Sequence, residues 1–402
     1  PSLVIAPATL LENWRRELSR FAPGLSVLVH RGSTRTGFPD DLRTAHTVVT
    51  SYETAVRDQY LLGMVNWNIV VLDEAQAIKN PESERSRVVR AIPRRIGLAV
   101  TGTPVENRLT DLWSIMDFAI PGLLGTRDEF ERTYPDDTRG AARLEPIVSP
   151  VMLRRRVSEV AGDLPERIDM TQYLELDEAT AERYDRLREQ AIGEYGDHAT
   201  FRSLVRLRQL CTHPRIIEGD VEPGDLASES VKYRRLLEIL EEISEQGEKA
   251  IIFTSFTRMI DLLVRDLSRR LGILTDCIDG RTPQEDRQPR LDRFASHAGP
   301  GVLVLNPRAA GTGLNITAAN HVIHYNPEWN PALEDQASAR AYRRGQTRPV
   351  TVHRLIYART VEEIMDQRLK RKRELADNAV VGTDAREADL LDVMAALRVS
   401  PV

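Results

Sequence analysis

Asn68-Ile69-Val70-Val71-Leu72 runs directly into Asp73-Glu74-Ala75-Gln76. An apolar, β-rich run of this length bounded by polar residues reads as a buried strand. It delivers two adjacent carboxylates at its carboxyl end. That is the arrangement a Mg²⁺–nucleotide site requires: one carboxylate holds the metal, often through water, and the other orients or deprotonates the attacking water. Taken alone, the pair is equally consistent with a solvated strand end, so the surrounding sequence decides.

On the amino-terminal side, Ser2–Ala6 reads as a second buried strand. Leu10–Phe21 reads as a helix, with Leu10, Leu11, Trp14, Leu18 and Phe21 at near-helical spacing. Thr47–Thr50 and Gly97–Thr101 add further short β-rich runs. Strands that alternate with helices imply a parallel sheet, whose ligands bind outside the carboxyl ends of its strands. At one such end stand Thr101-Gly102-Thr103-Pro104. Glycine there permits close backbone approach and the hydroxyls can relay hydrogen bonds, although the same residues also make a good plain turn.

From about residue 118 to 214 the pattern changes to long charged helices, including Leu174–Tyr195 and Thr200–Cys211, which reads as a helical insertion in the first lobe. The acidic stretch Glu218–Glu229, with its Pro and two Gly, reads as a linker. Beyond it the alternation resumes, with a helix at Lys232–Ile243 and strands at Ala250–Phe253, Val302–Leu305 and His321–Tyr325. The expectation is an α/β protein of two parallel-sheet lobes, residues 1–225 and 226–378, followed by a tail over 379–402.

A chain of 402 residues exceeds the usual size of one core. Its composition, 41% apolar and 29% charged, fits a globular protein. No apolar run approaches the roughly 20 residues of a membrane span. The start at Pro1 shows no secretory signal and no initiator Met, which is more consistent with a trimmed chain. Cys211 and Cys277 stand far apart and outside any C-x-x-C pair, arguing against a disulfide framework or a zinc site; the expected setting is a reducing cytoplasm. With a net charge of −5, nucleic-acid binding must come from local patches, not bulk charge.

The order of motifs resembles the Swi/Snf-type DNA-dependent ATPases of helicase superfamily two. Leu3-Val4-Ile5-Ala6-Pro7 with Leu11, Asn13 and Trp14 is similar to motif Ia, and Thr50-Ser51-Tyr52-Glu53 to motif Ib. Asp73-Glu74-Ala75-Gln76 is similar to the Asp-Glu-x-His box, with Gln in place of His, and Thr101–Pro104 to motif III. Met152–Arg155 and Leu207–Pro214 fit the stretches that follow. In the second half, Ala250–Phe256 resembles motif IV, Gly311-Thr312-Gly313-Leu314-Asn315 motif V, Trp329-Asn330-Pro331 its continuation and Gln336–Gln346 motif VI. Asn306, Pro307 and Ala310 depart from the usual form of motif V.

The resemblance implies two RecA-like lobes, ATP and Mg²⁺ as cofactors, and double-stranded DNA as partner, with further domains or proteins attached and no membrane association. A bacterial source and a place on the nucleoid are expected. By resemblance Asp73 and Glu74 hold the metal, partly through water, and Glu74 also activates the attacking water. Gln76, Gly311, Gly313 and Gln336 serve the nucleotide. Thr101, Gly102 and Thr103 couple the sites. Ser51, Arg154, Arg155, Thr254, Arg308 and Trp329 face DNA, and the segments resembling motifs Ia, Ib, IV and V are candidates for phosphate contacts. Arg340 and Arg343, three apart on an expected helix, share a face and could act as arginine fingers on the γ-phosphate. The bland reading, an exposed basic helix making surface pairs, holds for Arg344 and Arg348.

No G-x-x-x-x-G-K-[ST] occurs, nor a single Gly-Lys pair. In the family that loop grips the β- and γ-phosphates upstream of motif Ia. The expectation is a fragment of a larger motor that hydrolyses little ATP alone. The alternatives are a non-hydrolysing DNA-binding scaffold and a strand-separating helicase.

Overall fold

The computed structural model describes residues 1–102, 109–153, 164–195, 201–218, 225–310, 314–378 and 399–401. Packing divides the chain into two units, the first built from Pro1–Leu153 and the second chiefly from Arg154–Arg373.

The first unit carries a five-stranded sheet in the order β2-β3-β1-β4-β5. Its strands are β1 (Ser2–Ala6), β2 (Val27–His30), β3 (Thr47–Ser51), β4 (Trp67–Asp73) and β5 (Arg94–Val100), every pair parallel. β1 and β3 are buried along almost their whole length, as central strands covered on both faces must be. Leu3, Ile5, Val48, Val70 and Leu72 share one core with Trp67 and Phe118. Gly97 lets the helix Leu109–Ala119 lie close against β5, since a Cβ there would come within 2.7 Å of the Phe118 carbonyl oxygen. β5 ends the sheet, and its alternate residues Ile96, Leu98 and Val100 are 45%, 50% and 44% exposed, so one apolar face of that strand is uncovered.

The second unit carries six parallel strands in the order β6-β11-β10-β7-β9-β8. These are β6 (Arg167–Leu174), β7 (Lys249–Phe253), β8 (Leu274–Ile278), β9 (Gly301–Leu305), β10 (His321–His324) and β11 (Val350–Tyr357). Helices Val231–Glu245 and Thr257–Leu271 bury Leu236, Leu240, Met259 and Leu263 against it. The two parallel-sheet α/β lobes are therefore present.

Two expectations need correction. The stretch from 118 to 214 is a helical insertion in the first lobe only in part: up to residue 153 it is helical, with Arg127–Thr133 and Thr138–Val148, and packs in the first unit, whereas the remainder belongs to the second. That remainder contains β6, which pairs with β11 over eight residues of register, from Arg167↔Val350 to Leu174↔Tyr357. The helices Glu178–Tyr195 and Phe201–Thr212 then bury Tyr184, Leu204, Leu207 and Leu210 against Tyr357, Val361 and Met365. By packing, the lobe boundary thus lies near residue 153, not 225. The second correction concerns Gln336–Gln346: the helix Pro331–Ser338 ends before Arg340, and the chain continues in turns. Gly345 takes φ +99°, and the buried Gln346 amide donates to the carbonyls of Thr317, Ala319 and Ala341 at 3.1, 2.8 and 3.2 Å. These bonds hold the segment against the Thr317–Ala319 turn, where a continuing helix could not make them.

Candidate functional site

Register brings the predicted motif ends of the first lobe to one edge. Ala6 pairs with Ser51, Ile5 with Leu72 and Asp73 with Val100, so the carboxyl ends of β1, β3, β4 and β5 are level. Asp73, Glu74, Gln76 and Thr101 stand there half-buried. Asp73 is fixed from three sides. The Trp14 indole N–H, on the helix Leu11–Phe21, donates to Asp73 Oδ2 at 2.8 Å. The Glu74 amide donates to Oδ1 at 3.0 Å. The Tyr52 hydroxyl donates to the Asp73 carbonyl at 2.9 Å.

Glu74 follows in the left-handed region, φ +52° and ψ +51°, a conformation costing a non-glycine residue on the order of 1 kcal/mol. Such outliers concentrate at functional sites. The bend turns the chain into the 3₁₀ turn Ala75–Ile78. Gln76 Nε2 donates to Glu74 Oε2 at 2.6 Å, and Gln76 Oε1 accepts from the Thr101 hydroxyl at 2.7 Å. Gln76, standing where the family carries His, bridges the carboxylate to the strand after it; its amide can donate and accept at once. Gly102 follows Thr101, exposed.

Among the described residues no group of three or more His, Cys, Asp or Glu could hold a metal ion. Asp73 and Glu74 supply two hard oxygen donors, and Asp73's carboxylate keeps lone pairs beyond the two bonds it accepts. That suits Mg²⁺, which keeps several waters and takes only one or two carboxylates.

In the second lobe the strand ends are closed by a buried polar network. Thr254, fully buried after β7, donates to Asn326 Oδ1 at 2.7 Å, and Asn326 Nδ2 donates to Thr212 Oγ1 at 2.7 Å. Asn306 Nδ2 donates to the Ser255 carbonyl at 3.2 Å, and the Ser255 hydroxyl donates to Glu328. Burial pushes the Glu328 carboxyl above its ordinary range. The Glu328 amide reaches Glu334 Oε1 at 3.0 Å.

Of the residues expected to face DNA, Ser51 is buried and caps the helix Tyr52–Arg57, accepting from the Thr54 amide at 3.1 Å. The hydroxyls of Ser51 and Thr254 are therefore engaged within the protein. Arg308 is exposed, its amide held by Asn306 Oδ1 at 3.0 Å. Trp329 is half-buried under the Arg368 guanidinium, 4.4 Å from the ring centroid. Gln336 is half-buried on the helix Pro331–Ser338; Arg340 is half-buried and Arg343 exposed in the turns after it. Thr103, Arg154, Arg155, Gly311 and Gly313 lie outside the described residues. Sequence reasoning placed Trp14 and Tyr52 in motifs Ia and Ib without a bond to Asp73, and gave Glu328 no role.

The family profile described as the SNF2-related domain matches residues 1–216, and that of the helicase conserved C-terminal domain matches residues 231–345. The chain belongs to the SNF2-related family. The family's sequence division at 216 to 231 falls on the acidic stretch expected to be a linker, whereas packing places the boundary near 153 and both flanks of that stretch in the second unit. The segment between them is continuous in sequence with one domain and folded onto the other.

Among the chain's relatives, the putative ATP-dependent helicase/translocase YwqA of Bacillus subtilis is 39% identical over 94% of this chain and 43% of that protein. The Zorya protein ZorD of Escherichia coli is 36% identical over 95% and 40%. The solved SWI2/SNF2 ATPase core of Sulfolobus solfataricus in complex with dsDNA is 35% identical over 93% of this chain and 81% of that one, with a TM-score of 0.46. The chain spans about two fifths of the length of these two curated relatives.

Proposed function

We propose that the native full-length protein is an ATP-dependent duplex-DNA translocase of Swi/Snf type, in which hydrolysis of ATP between two lobes drives movement along DNA. The observation that supports this best is the half-buried Asp73–Glu74 pair on the carboxyl edge of the first sheet, with Glu74 held in a left-handed turn and joined through Gln76 to Thr101. Membership of the SNF2-related family supports it independently.

In this reading Asp73 helps hold Mg²⁺, partly through water, and Glu74 orients and deprotonates the attacking water. When bound, the metal supplies positive charge that neutralises the phosphate oxygens. Gln76, Gln336, Gly311 and Gly313 contact the nucleotide. Arg340 and Arg343 stabilise charge on the transferring phosphoryl group; they do so from a turn, whose rearrangement would couple hydrolysis to movement. Thr101, Gly102 and Thr103 relay the nucleotide state. Arg154, Arg155, Arg308 and Trp329 contact the DNA backbone in a salt-dependent, sequence-neutral manner, while Ser51 and Thr254 support that surface from within.

The 402 residues contain no Gly-Lys pair, so this chain alone is proposed to hydrolyse little. Steady-state hydrolysis by the full-length protein, with and without duplex DNA, tests the reading. Duplex-stimulated turnover that disappears in Glu74→Gln is expected; turnover indifferent to duplex, or unaffected by Glu74→Gln, would overturn it.

A further inference from the structure

The first lobe contains a connection that the motif reading does not use. Two segments resembling DNA-contacting motifs each place a donor on the same residue of the metal-binding pair. Trp14, from the helix after β1, donates to Asp73 Oδ2 at 2.8 Å, and Tyr52, opening the helix after β3, donates to the Asp73 carbonyl at 2.9 Å. The remaining oxygen, Oδ1, accepts from the next amide in the chain at 3.0 Å.

We propose that Trp14 and Tyr52 are positioning residues that tie the two DNA-facing segments of the first lobe to Asp73, so that duplex seated on those segments sets the orientation of the carboxylate offered to Mg²⁺. The inference rests on the translocase reading and deepens it.

The chemistry of the donors carries the argument. An indole N–H has no acceptor capacity, so its bond to Oδ2 has one polarity and fixes the plane of the carboxylate. Hydrogen bonds to a charged acceptor are the stronger kind. The Tyr52 hydroxyl meets a carbonyl oxygen, which can only accept, so this bond too has one polarity. Tyr52 is itself held: Ser51 caps its helix, and the Arg85 guanidinium lies 5.4 Å from its ring centroid. A shift of either segment therefore moves Asp73, whereas Glu74 hangs on a separate relay through Gln76 to Thr101. Groups that orient a metal ligand from outside the coordination shell typically contribute about 10- to 100-fold in metal affinity.

Trp14→Phe and Tyr52→Phe keep the rings, and with them the packing, but remove the donors. Hydrogen exchange of amides 73–78 in the full-length protein, with and without duplex, reads the connection without relying on catalysis. Slowed exchange on DNA binding is expected in the wild type, and its loss is expected in both variants at unchanged DNA affinity. The Mg²⁺ concentration for half-maximal hydrolysis should rise about 10-fold in Trp14→Phe, with the maximal rate at saturating Mg²⁺ largely restored. A purely packing role would move neither readout. DNA-induced protection that persists in both variants with an unchanged Mg²⁺ midpoint, or protection absent from the wild type although duplex binds and stimulates, would overturn the inference and leave the translocase reading standing. A wild-type protein that neither binds duplex nor hydrolyses ATP would instead remove that reading, and the inference with it.

Discussion

The carboxyl edges of the two sheets are built to opposite designs. In the first lobe Asp73 and Glu74 are half-buried, joined to their neighbours by a few direct bonds, and Glu74 sits in a strained turn. In the second, Thr254, Asn326, Ser255 and Glu328 are buried or nearly so, and their polar atoms bond mainly to one another. A buried polar network that is satisfied within the protein rigidifies its surroundings and has little capacity left for a ligand. Open carboxylates with limited partners are what a site for metal and water needs. The comparison is the one the proposed function expects, with the metal and water at the first edge and a rigid support at the second.

The sharpest way to break the comparison is at Glu74. Glu74→Gln leaves shape and the Gln76 contact nearly unchanged but removes the base, and ATP turnover in the full-length protein should fall about 10²–10⁴-fold with stability hardly altered. A loss of folding instead, seen in a melting curve, would place this edge among the structural networks.

In the second lobe the corresponding changes should act on stability. Lys232 and Glu362 are an ion pair with side chains 0% and 1% exposed, Nζ to Oε2 at 2.5 Å, and the Lys232 amide also donates to the Tyr357 hydroxyl at 2.9 Å. Lys232→Met leaves Glu362 buried without its cation and should destabilise by about 3–5 kcal/mol in chemical denaturation, much of it recovered when Glu362→Gln is added. An unchanged midpoint in the single variant would show that the pair is not closed.

A pH effect of similar origin is expected at His353. Burial, aided by the neighbouring His321 and Arg235, pushes its imidazole down to about 4. The unfolded chain binds that proton near pH 6.5 and the folded chain only near 4, so the stabilisation is complete above pH 6.5, declines between 6.5 and 4, and is gone below. It amounts to on the order of 3 kcal/mol. Between pH 6.5 and 4 the wild type should lose about 3 kcal/mol more stability than His353→Phe as the pH falls, read from denaturation midpoints; parallel curves would contradict it.

The smallest effects distinguish the two hydroxyls. Thr254→Val strands the buried Asn326 carbonyl and should cost about 1–3 kcal/mol, while Ser51→Ala removes a helix cap and should cost about 1 kcal/mol. Both are read from denaturation midpoints, and both should weaken DNA binding only indirectly. A large affinity loss at unchanged stability would restore the direct phosphate contact expected from sequence.

Strands built on short β-branched or aliphatic runs were legible in the sequence: β1, β3, β4, β7 and β9 lie within a residue or two of where the pattern put them, because strands inside a parallel sheet bury such runs. β6 was not. It is an edge strand whose charged residues Arg167 and Asp169 pair at 2.9 Å across one face, so its pattern of alternating charge merged with the helical stretch that follows. Only its long-range partner β11 assigns it to the second lobe. The Arg340 turn was missed for a related reason: local spacing suits a helix, but the bonds that end it come from Gln346 to carbonyls as far back as Thr317. At the candidate site, the acidic pair alone fits a solvated strand end equally well; the ordered motifs around it singled out Asp73, Glu74 and Thr101, which register brings to one edge. Trp14 and Tyr52 escaped because their bonds to Asp73 span 59 and 21 residues.

The most direct test of a motor on duplex DNA is displacement of a third strand from a triplex by the full-length protein with ATP. The account predicts that the third strand is released with the underlying duplex left intact, and that Glu74→Gln releases none. Separation of the duplex strands, or release that proceeds equally well without ATP, would contradict it.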